Sequence, residues 1–313
     1  MKTVNNPWFA TLVPAAFGFG LTVFCVRGFE FYGWSLFLGL PLAVSFMSAF
    51  FTSYRRQVTF GRAYWISVLS LLALGAAIVS FALDGLICLL MALPLAMLLA
   101  VAGAAIGRAL GGASRGGMGT ALPLLMVFLL PGLVAFDHAT VQAPPLRRVV
   151  TSVVIDAPVE RVWETVITFP KITDPPEGIF RCGIAYPIEA RIDGTGVGAV
   201  RHCIFSTGSF VEPITTWDEP RLLAFDVSES PPPMKELSFH EELDAPHLHG
   251  HMASEKGQFR LIGQDGKVVL EGTTWYRHSL APQWYWGPIT DFMIHRIHER
   301  VLNHIERSSE SSP

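Results

Sequence analysis

The first half of this 313-residue chain has very little charge. Residues 1–147 hold 8 Lys and Arg with 3 Asp and Glu, against 15 and 23 in residues 148–313. So few charges do not make a water-exposed surface, whereas the second half carries enough for one. Five stretches, 8–26, 33–54, 63–83, 85–107 and 116–136, contain no Asp, Glu, Lys or Arg. Each is close to the ~20 residues a helix needs to cross a hydrocarbon core of ~30 Å. A helix is the required form, because backbone groups left unpaired in lipid are costly. Tyr32, Trp34, Tyr54, Tyr64 and Trp65 lie at the run ends, where amphipathic rings prefer the interface. The pattern predicts an α-helical membrane domain of about five transmembrane helices over residues 1–140. A cleaved signal peptide is the poorer reading, since the first run is long and no small-residue cleavage site leads from it into a soluble region.

Other scarcities narrow the function. None of the five runs holds an ionisable carboxylate or base, which disfavours a transport path and favours an anchor or scaffold. There are only four cysteines. Cys25 and Cys88 lie in apolar runs and read as small packing residues. Cys182 and Cys203 are either free or joined, the latter if their domain faces an oxidising space. The second half is acidic and lacks the clustered Lys or Arg that nucleic acid requires, so no nucleic acid partner is expected. There is no nucleophile elbow, Walker loop, dinucleotide fingerprint or zinc-finger spacing, and no cofactor is expected.

Basic residues in the short loops predict orientation. With five spans, Lys2, Arg55, Arg56, Arg62, Arg108 and Arg115 share the N-terminal side, and Arg27 lies on the other with Glu30 and Asp84. The expectation is an integral, multi-pass protein of the inner or plasma membrane, its C-terminal domain on the non-cytoplasmic side. Pro144 and Pro145 stiffen a linker over 141–147.

Residues 148–308 read as a second domain, with a short tail at 309–313. Residues 149–155 are β-rich. Asp156 is placed to cap a helix opened by Pro158, whose apolar positions recur at helical spacing through Ile167. Six β-rich segments follow, at 188–192, 199–206, 209–216, 222–228, 257–262 and 268–278, separated by Gly- or Pro-containing breaks. The last element, 284–307, is a helix of about six turns. A curved antiparallel sheet with one long helix across it satisfies this order.

Four stretches of this half carry a resemblance: VVIDAPVERVWETVITFPKI at its start, AVRHCIF, ITTWDEPRLLAFDV, and the closing EGTTWYRHSL strand with the long helix. The domain resembles the START-like (SRPBCC) superfamily, in its polyketide cyclase/dehydrase and lipid-transport branch. That resemblance implies an α+β helix-grip fold: a curved antiparallel sheet around a long C-terminal helix, with a hydrophobic cavity between them. It implies no single activity, because carriers, cyclases and chaperone regulators share the fold. The expected function is binding or carriage of a lipid or other hydrophobic small molecule by a bilayer-anchored domain. The alternatives are an aromatase/cyclase-type enzyme and a non-catalytic scaffold.

Candidate residues follow from spacing. Trp275, Tyr276, Trp286, Met293 and Ile297 are expected to line the cavity. His295 and Arg277 are the acid/base candidates for the enzyme reading; His295 shares a helix face with His298 and Glu299. Alternation on the last strand does not tell which face meets the helix, the one with Glu271, Thr273, Trp275 and Arg277 or the one with Leu270, Gly272, Thr274 and Tyr276. His247, His249 and His251 alternate after His240, Glu241 and Glu242, a spacing compatible with zinc, copper or nickel. The stretch 230–253 also reads as a solvated insertion opened by three prolines, and no metal is the expected state.

Overall fold

The charge-free runs form helices in the computed structural model, which describes residues 6–114, 121–140, 143–240, 243 and 245–311. Lys2 and Arg115 of the orientation count, the linker residue Gln142, and Glu241 and Glu242 lie outside the described residues. The helices are α1 (Pro7–Phe29), α2 (Leu40–Ser53), α3 (Phe60–Ser80), α4 (Leu86–Ala113) and α5 (Ala121–Ala139); a π-helical turn, Ser35–Gly39, leads into α2. Among the described residues these five, with α2 taken together with its π-helical turn as Ser35–Ser53, are long and apolar enough to cross a membrane.

Local chemistry sets where the helices begin. Asn6 accepts from the Trp8 amide at 3.0 Å, with Pro7 in the first turn. Thr59 opens α3 through the Arg62 amide at 3.4 Å. The starts of α2 and α4 draw on distant carboxylates. Asp137 Oδ2 accepts from the Ser35 amide at 2.9 Å and its hydroxyl at 2.8 Å. Gly85, at the cap position of α4, has no side chain to offer; Glu236 instead accepts from the Ile87 amide (3.0 Å) and the Cys88 amide (3.2 Å).

The closest helix pair is α2 with α4. Gly103, Gly107 and Gly111 recur at every fourth residue of α4 and face the α2 backbone. A Cβ on them would lie 2.6, 2.3 and 2.6 Å from the carbonyl oxygens of Leu42, Phe46 and Phe50. Small residues at this spacing let helix backbones approach closely where apolar side chains gain nothing from leaving lipid.

The chain divides into two compact units: Met1–Ala143, Glu236–His247 and Leu280–Pro282 in one, and Pro144–Lys235, Leu248–Ser279 and Gln283–Pro313 in the other. The expected second domain at 148–308 thus lends two segments to the helical unit. The larger one is held there by hydrogen bonds that complete α4, the two from Glu236 and one from the Leu86 amide to the Leu237 carbonyl at 3.0 Å.

The second unit is a seven-stranded antiparallel sheet of order β1-β7-β6-β5-β4-β3-β2. Its strands are β1 (Arg147–Ile155), β2 (Pro187–Asp193), β3 (Val200–Phe205), β4 (Gly208–Asp218), β5 (Leu222–Asp226), β6 (Met252–Gln264) and β7 (Lys267–His278). Register shifts at Pro187/Glu189, Ile214/Thr216 and Ser254/Lys256 add the local bends that curl such a sheet. The long helix α7 (Gln283–Ser311) and the short helix α6 (Val159–Ile167) complete it, which is the helix-grip arrangement. β6 starts five residues earlier than its sequence pattern, at Met252.

The core gathers Trp163, Val162 and Val166 of α6, Leu223 and Phe225 of β5, Leu261, Leu270, and Val301, Leu302 and Ile305 of α7. One local expectation fails. Pro158 itself occupies the cap position of α6 and no side chain caps it. Asp156 takes another role, its amide donating to Glu310 Oε1 at 2.9 Å. All four cysteines are free thiols.

Candidate functional site

Alternation on the strands and helical spacing on α7 together build a cavity of about 120 Å³ inside the sheet unit. From α7 come Met293, Ile294, Ile297, His298, Val301 and Leu302, which repeat every three to four residues and so share one face. Opposite them, Arg201, Cys203 and Phe205 take every second position of β3 and point to one side of the sheet. Phe225 on β5 can lean over β6 because position 257 is glycine: a Cβ there would lie 2.6 Å from the Phe225 ring. The backbone at 230–233, three prolines among its four residues, forms part of the wall.

The lining is mostly apolar, with Ser230, Ser254, Lys256, Gln258 and Thr273 also contributing to it, and two places hold buried polar groups. The first is Arg201 with Glu212, cross-strand partners on β3 and β4 that form a salt bridge. Their side chains are 2% and 8% exposed, which makes this a buried ion pair. The guanidinium also lies 5.4–5.7 Å from the ring centres of Phe169, Phe225 and Phe259. Burial is the largest influence and opposes its charge, but Glu212 together with Cys203 outweighs it and holds the Arg201 pKa above its ordinary value. One terminal nitrogen of Arg201 reaches Glu212; Nε and Nη2 are buried without a hydrogen-bond acceptor among the described residues.

The second polar place is His298. Its Nδ1 is 3.1 Å from Thr151 Oγ1 and its Nε2 is 2.7 Å from Thr274 Oγ1. Burial, and then the nearby His295, lower its pKa to about 4, so the ring is neutral at ordinary pH.

The structure distributes the expected site residues unevenly. Met293 and Ile297 are on the cavity wall. Trp275, Tyr276 and Trp286 are not among its lining residues. Trp275 stacks under Lys256, whose Nζ is 5.0 Å from the ring centre. Tyr276 is fully buried and donates to Asp291 at 2.6 Å, and Trp286 is buried in α7. The face of β7 that meets α7 is that of Leu270, Gly272, Thr274 and Tyr276, as the Thr274–His298 and Tyr276–Asp291 bonds show.

The two acid/base candidates also lie off the wall. His295 is half-exposed, its Nδ1 at 2.8 Å from Thr151 and its Nε2 at 3.4 Å from Glu299. Arg277 is tied to Glu255 at 2.6 Å and to the Pro144 carbonyl. Three residues further along α7 from His295, His298 takes the inward place, because helix rotation is fixed by how Leu302 and Ile305 pack.

The histidine triplet does not act as one set. His251 bonds Ser279 Oγ at 2.6 Å, within the sheet unit. His249 is exposed. His247 is 5% exposed and belongs to the helical unit, beside Asp84, Cys88 and Glu236.

Sequence reasoning missed Arg201, Glu212 and this second cluster. A charged residue amid the alternating apolar positions of β3 was the available signal for the first. For the second it was Asp84, the lone acid between two apolar runs.

Topology and cavity define a helix-grip domain built to enclose a hydrophobic ligand. Residues 147–253 match the profile of the family described as "Polyketide cyclase / dehydrase and lipid transport", so the domain that carries them is START-like. Among solved structures, norcoclaurine synthase from Thalictrum flavum is similar at 12% identity and a TM-score of 0.35, over 56% of this chain and 99% of that one. The Zhui aromatase/cyclase from Streptomyces sp. R1128 is similar at 17% identity and a TM-score of 0.33, over 53% and 94%. With scores this low, the assignment rests on the matched segment and the topology. No curated protein matches the chain.

Proposed function

We propose that this chain is a membrane-anchored START-like protein that binds a compact hydrophobic molecule carrying an oxygen acceptor, such as a carbonyl or carboxylate. The observation that supports this is the mostly apolar cavity whose wall includes Arg201, a buried guanidinium of which two nitrogens, Nε and Nη2, meet no hydrogen-bond acceptor among the described residues. A buried donor without a partner costs ~1–3 kcal/mol, so a ligand oxygen that meets it recovers that cost. Size supports a compact ligand: about 120 Å³ is well below the ~300–1,000 Å³ of drug-sized sites. An acid/base mechanism finds less support. Both nitrogens of His298 are engaged by threonine hydroxyls, and Glu212 is committed to Arg201.

The test is mass spectrometry of small molecules that co-purify with the full chain in detergent. Met293→Trp and Ile297→Trp fill the cavity and should abolish carriage, and Arg201→Met should cut it at least ~10-fold, about 1.4 kcal/mol. If both tryptophan variants retain ligand at wild-type occupancy, the cavity is not the binding site.

Membrane anchoring and sidedness are part of the same proposal. Five helices of sufficient length carry the chain across an odd number of times, and the basic loop residues favour the N-terminus inside. A C-terminal alkaline phosphatase fusion should then be active and a green fluorescent protein fusion dark. The opposite pair of results would place the domain in the cytoplasm.

A further inference from the structure

We propose that Asp84, Cys88, Glu236 and His247 form a closed four-ligand site for a divalent transition-metal ion, with Zn²⁺ the best chemical match. All four belong to the helical unit, so the site is separate from the ligand cavity. All four are buried, and one donor atom from each lies within 4.8 Å of the others. A tetrahedron with bonds of ~2.0–2.3 Å has donor–donor edges of ~3.3–3.8 Å, so a small contraction completes the shell. One thiolate, one imidazole and two carboxylate oxygens is a donor set that suits zinc, and four protein ligands leave no open position. The ion would therefore be structural, pinning the 236–247 segment to the turn between α3 and α4.

The bland account is that Glu236 only caps α4 and His247 only balances charge. Three observations go beyond it. Neither imidazole nitrogen of the buried His247 makes a hydrogen bond. Nδ1 is 3.5 Å from Asp84 Oδ1 and Nε2 is 3.4 Å from Glu236 Oε1, ion-pair contacts longer than a good hydrogen bond, so the ring lies between the two carboxylates. Two buried carboxylates face a single imidazole, which leaves the cluster negative even with that ring protonated, and a buried negative cluster attracts a cation. The backbone is also shaped for the approach: a Cβ at Gly85 would lie 2.1 Å from Glu236 Oε2.

The carboxylates are already oriented as metal ligands usually are, by hydrogen bonds from outside the shell. Asp84 Oδ1 accepts from the Gly85 amide at 2.7 Å, and Glu236 accepts from the first turn of α4. Binding would convert the Cys88 thiol to a thiolate and release its proton to solvent.

The test uses untagged full-length protein in detergent, with Co²⁺ as a spectroscopic probe and metal analysis of the protein as purified. We expect saturable 1:1 Co²⁺ binding, the intense visible bands of a tetrahedral site, and a near-ultraviolet sulfur-to-cobalt charge-transfer band. Zn²⁺ should displace the probe. Cys88→Ser should remove the charge-transfer band. His247→Ala should weaken binding by more than ~10-fold, since even outer-shell changes cost 10–100-fold. His251→Ala should change neither. Because the wild-type spectrum is informative by itself, a variant that fails to fold does not spare the proposal. Absence of a saturable sulfur-to-cobalt band in the wild type overturns it, as does binding that survives both Cys88→Ser and His247→Ala unchanged.

Discussion

In the helical unit the carboxylates drawn in from the surface sit at helix ends: half-buried Asp137 at the turn into α2, and buried Asp84 and Glu236 at the start of α4. In the sheet unit the buried charge sits in the middle, where Arg201 and Glu212 face each other on adjacent strands inside the cavity. The difference follows from where each architecture leaves polar groups unmet. A helix satisfies its own backbone except at its ends, so a carboxylate is stabilising there, near the exposed amides and the positive end of the dipole. A sheet satisfies its backbone between strands, so a charge in its interior serves no backbone need and is retained for something else. We read that as ligand recognition.

This contrast gives a ranked set of tests by chemical or thermal unfolding of the full chain in detergent. Arg201→Met leaves Glu212 buried and unpaired and should cost about 3–5 kcal/mol in the sheet unit. The double variant Arg201→Met/Glu212→Leu should recover much of that loss. If the single variant is neutral, the pair is not isolated from solvent and the cavity is not dry.

Packing separates the units next. Gly107→Leu drives a side chain into the α2 backbone and should cost about 3 kcal/mol, the upper end for overpacking. The matching change in the sheet unit, Gly272→Ala, should be nearly silent, because its Cβ would sit at an ordinary 3.6 Å from Leu302. Equal effects would mean that the helices are not held by backbone contact.

His298 gives the sheet unit a pH dependence. Its pKa when folded is about 4, below the ~6.5 of an unfolded histidine. Between those values only the unfolded chain takes up the proton. Stability from this group is therefore complete above pH ~6.5 and declines as the pH falls through 4, by about 3 kcal/mol in all. His298→Gln should flatten that decline.

The smallest effect belongs to the helix ends. Asp137→Asn retains an acceptor but loses the charge, and should cost about 1 kcal/mol or less. A loss as large as that of Arg201→Met would mean that Asp137 belongs to a paired network and not a simple cap.

Much of the architecture could be read from local pattern. Five charge-free runs become five helices, because in this length range only a helix hides its backbone from an apolar surrounding. The strand segments are legible for a related reason: alternation such as that of Arg201, Cys203 and Phe205 is a property of neighbouring residues. The regular spacing of Gly103, Gly107 and Gly111 was equally visible, but its meaning depended on a partner helix sixty residues earlier.

What only the tertiary structure decided concerns pairs far apart in sequence. Periodicity puts His295, His298 and Glu299 on one face of α7 without fixing which way that face turns. The rotation is set by side-chain packing against the sheet, and it brings His298 to the cavity and leaves His295 outside. Arg201 reads as a strand cation until the β3–β4 register sets it opposite Glu212. His247 reads as one of three alternating histidines, yet it lies beside Asp84, 163 residues earlier, where the cap position of α4 is Gly85 and offers no side chain of its own. Local spacing carries no record of such a need being met from so far along the chain; folding alone brings the carboxylate of Glu236 to it.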